Sequence, residues 1–172
     1  SGKSTLAKKL LAFTRSQGFV AIGCASTALA AATFDNFETA HSLFCYPVVD
    51  EEDRDESDLP KCELWKKPGR EEMFSTCALL IWDEFPSNHK ELFEAACRAL
   101  NNFENIVLVC MGDFRQIMPV VKFGSKAQQI EACITSSIWW REFKVLTLTI
   151  NMRLQRRLDA LELSVANGTA NA

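Results

Sequence analysis

Apolar and polar positions along the chain alternate with two periods. In residues 4–17, Leu6, Ala7, Leu10, Leu11 and Phe13 share one arc, with Lys8 and Arg15 opposite. That is the pattern of an amphipathic helix, and Gly18 ends it. Residues 19–25 read as a strand, and an alanine-rich helical turn follows at 27–33. The span 35–74 reads as irregular. Residues 77–82 are apolar throughout, and Asp83 closes a strand of the kind covered on both faces. Residues 88–101 are helical again, with Leu92, Phe93, Ala96, Cys97 and Leu100 on the buried stripe. Apolar strands are predicted at 106–111 and 144–150. Leu154, Leu158, Leu161 and Val165 mark a last helix that stops at Asn167-Gly168. Strand and helix in alternation, with apolar strands, predict an α/β fold: one parallel sheet with helices on both faces. In such sheets the functional groups gather at the carboxyl ends of the strands.

Composition narrows this picture without changing it. The 172 residues suit a single domain, and 48% hydrophobic with 24% charged residues is a globular balance. No apolar run nears the roughly 20 residues of a membrane span, and the opening Ser1-Gly2-Lys3 has no apolar signal core. Neither a membrane nor a secretory route is expected. Seven cysteines occur, no two closer than 13 positions, so no C-x-x-C clip for zinc exists. Free, largely buried thiols in a reducing intracellular compartment are expected. The net charge of −3 argues at first sight against a polyanionic partner. Residues 50–58, however, hold seven acids and one arginine, a net −6, which leaves +3 for the rest. That run reads as a solvated acidic loop.

Three motifs carry chemistry. Gly2-Lys3-Ser4-Thr5 opens the first helix and matches the end of the phosphate-binding loop G-x-x-x-x-G-K-[ST]. A helix N-terminus offers amides to phosphate, Gly2 lets the backbone approach, Lys3 supplies charge, and Ser4 would hold Mg²⁺. Leu79-Leu80-Ile81-Trp82-Asp83-Glu84 delivers two carboxylates at a strand end. There Asp83 would bind Mg²⁺ through its water shell and Glu84 would polarise an attacking water. Gly112-Asp113-Phe114-Arg115-Gln116-Ile117-Met118-Pro119-Val120 is a structured loop after the next strand. The Gln116 amide both donates and accepts, and so can report a γ-phosphate.

Together these segments resemble the Pif-type DNA helicases of superfamily one, relatives of RecD, and most of all the branch found in eukaryotic genomes and Helitron transposons. The matching stretches are GKST at 2–5, CASTALAA at 24–31, TAHSLF at 39–44, LLIWDE at 79–84, GDFRQIMPVV at 112–121, SSIWW at 136–140 and LTLTINMR at 146–153. They follow the family's order over almost the whole chain. Phe85-Pro86, Met118 and the short connection at 101–105 depart from its usual pattern.

The resemblance implies a RecA-like phosphate-loop core using ATP and Mg²⁺. Its partners are single-stranded and forked duplex DNA, along which the family's motors move 5′ to 3′. It implies Gly2, Lys3, Ser4 and Thr5 at the nucleotide, Ser4 and Asp83 at the metal, and Glu84, Gln116 and Arg153 in catalysis, Arg153 steadying charge on the transferred phosphoryl. Thr27, Thr39, His41 and Ser42 match segments that face DNA in the family. Phe44, Tyr46, Trp139 and Trp140 are assigned to packing. Residues 1–172 are expected to be one motor domain, the first of two, opening inside the phosphate loop and lacking the strand that feeds it. Such a segment is not expected to unwind DNA alone. A nucleus, or else a mitochondrion, would house it. Two other readings fit part of the pattern: a non-catalytic nucleotide- or DNA-binding remnant of a transposon helicase, and a small-molecule kinase. The kinase leaves GDFRQ and the Asn-Met-Arg triplet without a role.

Overall fold

The computed structural model describes residues 2–47, 59–116, 118–150 and 152–168, the last stretch without the side chains of 153, 156 and 164–168. The acidic run at 50–58 lies outside the described residues. Four strands form one parallel sheet in the order β2-β1-β3-β4: β1 (Val20–Ala25), β2 (Glu38–Thr39), β3 (Cys77–Asp83) and β4 (Val107–Cys110). The α-helices are α1 (Lys3–Ser16), α2 (Ala28–Ala31), α3 (Ala40–Leu43), α4 (Arg70–Thr76), α5 (Lys90–Leu100), α6 (Lys126–Glu131) and α7 (Met152–Gly168).

Period two in β3 sorts its side chains to two faces. Leu79 and Ile81 pack with Ala7 and Leu11 of α1, while Leu80 and Trp82 enter the larger core with Phe93 of α5 and Phe74 of α4. Helices therefore cover both faces. α1 ends where Gly18 takes φ 82°, a left-handed conformation that glycine adopts without steric cost. The Arg15 guanidinium then ties the helix to β1, with Nη2 donating to the Ala21 carbonyl at 2.8 Å. Phe44 and Tyr46 are buried, and Trp139 and Trp140 pack against the core, as expected.

Two expectations need correction. Residues 144–150 are not a strand. Among the described residues β4 pairs only with β3, so this stretch has no ladder partner. β-propensity alone does not make a strand, and Val145, Leu146, Leu148 and Ile150 stay exposed. The span 35–74 is not all irregular, since it holds β2, α3, a 3-10 turn at Leu64–Lys66 and α4. These elements run from 2 to 7 residues, too short for periodicity to register.

Gly112, just after β4, lies against Pro86. A Cβ placed there would sit 2.0 Å from the Pro86 Cδ. Gly112→Ala is expected to cost about 1–3 kcal/mol, as overpacking at a tight contact does. A urea melt of the variant checks it, and an unchanged midpoint would contradict the close contact.

Candidate active site

The carboxyl end of β3 and the loop that follows β4 meet the start of α1 around one cleft of about 850 Å³. Gly2, Lys3, Ser4 and Thr5 line it on one side, and Asp83, Glu84, Asp113 and Gln116 on the other. Leu148, Thr149, Ile150 and Met152 complete the wall. Every nucleotide, metal and catalytic residue expected from the sequence thus lies in this cleft, apart from Arg153. Arg153 falls in the first turn of α7, beside Met152, and its side chain lies outside the described residues.

Gly2 is the N-cap of α1, with φ 88° and no side chain capping the helix. The helix thus presents its N-terminal amides and the positive end of its dipole to the cleft, the arrangement that favours phosphate. Asp83 is the last residue of β3 and falls on the same face as Leu79 and Ile81, the face that α1 covers. Its side chain is almost fully buried, and Oδ1 has no hydrogen-bond partner. A buried carboxylate oxygen without a donor is costly. A hydrated cation would satisfy it, and with the Ser4 hydroxyl in the same cleft the oxygen-rich donor set suits Mg²⁺.

Glu84 follows with φ 49° and ψ 34°, left-handed for a residue with a Cβ. Backbone strain of this kind costs roughly 1–3 kcal/mol and persists where surroundings over-determine it. The surroundings here are explicit. The Ser26 amide donates to the Asp83 carbonyl at 3.1 Å, Phe85 N–H to the Met111 carbonyl at 2.9 Å, and Met111 N–H to the Trp82 carbonyl at 2.8 Å. The acidic turn is thereby tied to the ends of β1 and β4 at once. In the next loop, Asp113 accepts from the Arg115 amide at 3.0 Å and from Gln116 Nε2 at 2.8 Å. Asp113 holds the Gln116 amide toward the cleft. Its place in the GDFRQ string could have flagged it, yet no role was read for it there.

The residues expected at DNA sit together at the ends of β1 and β2, but most serve the fold as well. Thr27 caps α2 and Thr39 caps α3, each accepting a backbone amide. Ser42 donates to Glu38 at 2.5 Å and accepts from Lys67 at 2.8 Å. His41 is exposed, with the Tyr46 ring edge-on at 5.3 Å, and partial burial lowers its pKa. A lowered pKa favours the neutral imidazole.

Glu38 anchors this corner through Arg70, whose Nη1 and Nη2 donate at 2.6 and 3.2 Å. Burial works against its charge, but the hydrogen bonds from Arg70 and Ser42 and the charges of Arg70 and Lys67 outweigh it, and the Glu38 pKa is lowered. A carboxyl depressed on folding adds stability above its unfolded pKa and loses it as pH falls through the folded value. Acid titration of stability should therefore be shallower in Glu38→Gln than in the wild type, read from urea midpoints from neutral pH down through the carboxylate range. Identical slopes would contradict the assignment.

All seven cysteines are unbridged, three of them buried. Burial pushes the Cys62 and Cys97 thiols up to about 12, so neither is a nucleophile at neutral pH. Among the described residues no cluster of histidine, cysteine, aspartate and glutamate could hold a metal by itself.

A helix N-terminus facing an acidic strand end and a glutamine loop, at the carboxyl edge of a parallel sheet, defines a RecA-like phosphate-loop nucleotide-binding domain. The family profile described as PIF1-like helicase matches residues 1–167, and the chain belongs to that family. It is 30% identical over 164 residues to the ATP-dependent DNA helicase Pif1 of Campylobacter jejuni, covering 90% of this chain and 35% of that protein. It is 34% identical over 107 residues to the ATP-dependent DNA helicase PIF1 of Xenopus laevis, covering 58% of this chain and 16% of that protein. Among solved structures, Pif1 helicase from Candida albicans superposes with a TM-score of 0.63 at 26% identity, over 86% of this chain and 33% of that one. A Bacteroides Pif1 double mutant gives 0.63 at 22% identity, over 88% and 36%. The chain spans about a third of the length of the Campylobacter relative and of these structures. Family membership decides against the small-molecule kinase.

Proposed function

We propose that the chain is the first motor domain of an ATP-dependent DNA helicase that moves 5′ to 3′ on single-stranded DNA. The observation that carries this reading is the convergence of the α1 N-terminus, Asp83-Glu84 and Gln116 on one cleft. The names of its relatives support it, since both curated matches are ATP-dependent DNA helicases. Solved structures of similar proteins include a Bacteroides Pif1 bound to single-stranded DNA, a Bacteroides Pif1 with ADP-AlF4 and two coordinating Pif1 helicases at forked duplex DNA.

In this reading Lys3 and the amides of α1 grip the phosphates, while Ser4 and Asp83 would hold a Mg²⁺ ion, which when bound would supply positive charge against the phosphate oxygens. Glu84 accepts a proton from the water that attacks the γ-phosphorus. The bond from that phosphorus to the bridging oxygen breaks, and ADP and phosphate leave. Gln116, held by Asp113, senses whether the γ-phosphate is present, and Arg153 steadies its charge. Thr27, Thr39, His41 and Ser42 face the DNA strand, and a second motor domain supplies the surface against which the first one moves. A reducing intracellular compartment, the nucleus or else the mitochondrion, would keep these thiols free.

The test is made on the full-length gene product. ATP hydrolysis is measured with and without single-stranded DNA, and strand separation on duplexes with a 5′ or a 3′ tail. The reading expects DNA-stimulated hydrolysis and unwinding from the 5′ tail only. Nucleotide binding without hydrolysis under any of these conditions would instead mark a non-catalytic remnant.

A further inference from the structure

The hydroxyl of Ser26, at the carboxyl end of β1, is used to capacity. It donates to the Glu84 carbonyl at 2.7 Å. It accepts from the Trp82 indole Nε1 at 3.3 Å and from the Asn88 side-chain amide. One donor and two acceptor sites are all a serine hydroxyl has. Both donors to it are fixed. Trp82 is fully buried in the core, and Asn88 is 5% exposed, with Nδ2 also donating to the Phe85 carbonyl at 3.0 Å. The acceptor is the residue whose backbone is left-handed at φ 49°. Ser26 shares this carbonyl with Ser87, whose hydroxyl donates to it at 2.8 Å and whose amide donates at 3.2 Å, but Ser26 alone ties it to the end of β1, and nothing in the three motifs pointed to it.

We propose that Ser26 is a positioning residue for Glu84. By holding the Glu84 carbonyl it fixes the left-handed turn, and through the turn it sets where the Glu84 carboxylate stands in the cleft. It touches no substrate itself. Because Thr27 follows directly, the same contact joins the segment proposed to face DNA to the carboxylate proposed to activate water. The inference rests on the helicase reading for the role of Glu84.

A structural role and a positioning role predict different kinetics. Ser26→Ala removes the hydroxyl that donates to the Glu84 carbonyl and lies 3.4 Å from the Asp83 carbonyl, and leaves the Lys3 and Ser4 side chains and the Asp83 carboxylate unchanged. The kcat of DNA-stimulated ATP hydrolysis by the full-length protein is expected to fall about tenfold or more, the effect of misplacing a reacting group. The KM for ATP and the Kd for a non-hydrolysable ATP analogue should stay within about twofold, a range set by the absence of any lost phosphate contact. Ser26→Thr keeps the hydroxyl and should restore most of kcat. Three results would overturn the proposal: kcat of Ser26→Ala within twofold of wild type, analogue binding lost along with kcat, or Ser26→Thr as slow as Ser26→Ala. Wild-type protein that hydrolyses no ATP would remove the helicase reading and this inference together. Active wild type with an unaffected Ser26→Ala would remove this inference alone.

Discussion

Glu84→Gln is expected to bind ATP as the wild type does and to lose about 10²–10⁴-fold in turnover, the usual contribution of a positioned general base. The change keeps the shape of the side chain and removes its ability to take the proton. The Asp83 oxygen on the α1 face, the charge of Lys3 and the α1 amides are untouched, so the ground-state complex has lost nothing. Its backbone ties to Ser26 and Ser87 run through carbonyl oxygen and survive the substitution. Rapid-quench hydrolysis beside an equilibrium titration with ATP separates the two quantities. Equal losses in binding and in turnover would mean that Glu84 holds the metal, and the roles of the acidic pair would need to be exchanged.

Lys3→Ala is expected to act on the other quantity. The lysine is a point charge at the mouth of α1, and no other lysine or arginine except Lys9 lines the cleft with it among the described residues. Hydrogen bonds to charged groups contribute about 1.5–3 kcal/mol each. Loss of contacts to two phosphates should therefore raise the Kd for ATP by two orders of magnitude or more. Isothermal titration on a variant with unchanged thermal stability checks this. Retained affinity would place the phosphates away from the α1 N-terminus.

The parts of the molecule that could be read from sequence are those written in long or chemically loaded strings. The amphipathic arc of α1, the apolar run of β3 and the stripe of α5 each span enough residues for their periods to register, and each lies within two residues of its predicted place. The cleft was legible because glycine, lysine, serine, two acids and a glutamine stood at element ends, where an α/β sheet gathers its chemistry. Elements fixed by tertiary contact were not legible. β2 is two residues long and exists because β1 offers it an edge. α3 and α4 are held by Thr39 and by the pairing of Arg70 with Glu38, partners 32 positions apart. The stretch 144–150 erred in the opposite direction, since its apolar pattern is strand-like while no ladder reaches it. The Ser26 contacts lie 56 to 62 positions apart in sequence and carry no local signature.

The start of α1 and the end of β3 are proposed to hold a metal-bound nucleotide together. Crystals of the full-length protein grown with Mn²⁺ in place of Mg²⁺ and a non-hydrolysable ATP analogue test it directly, because manganese scatters anomalously. The predicted result is one anomalous peak at about 2.0–2.2 Å from the Ser4 hydroxyl, with Asp83 bound through a water in its shell and the β- and γ-phosphates against the amides of Lys3, Ser4 and Thr5. A peak remote from Ser4 and Asp83, or phosphates seated away from the α1 N-terminus, would contradict it.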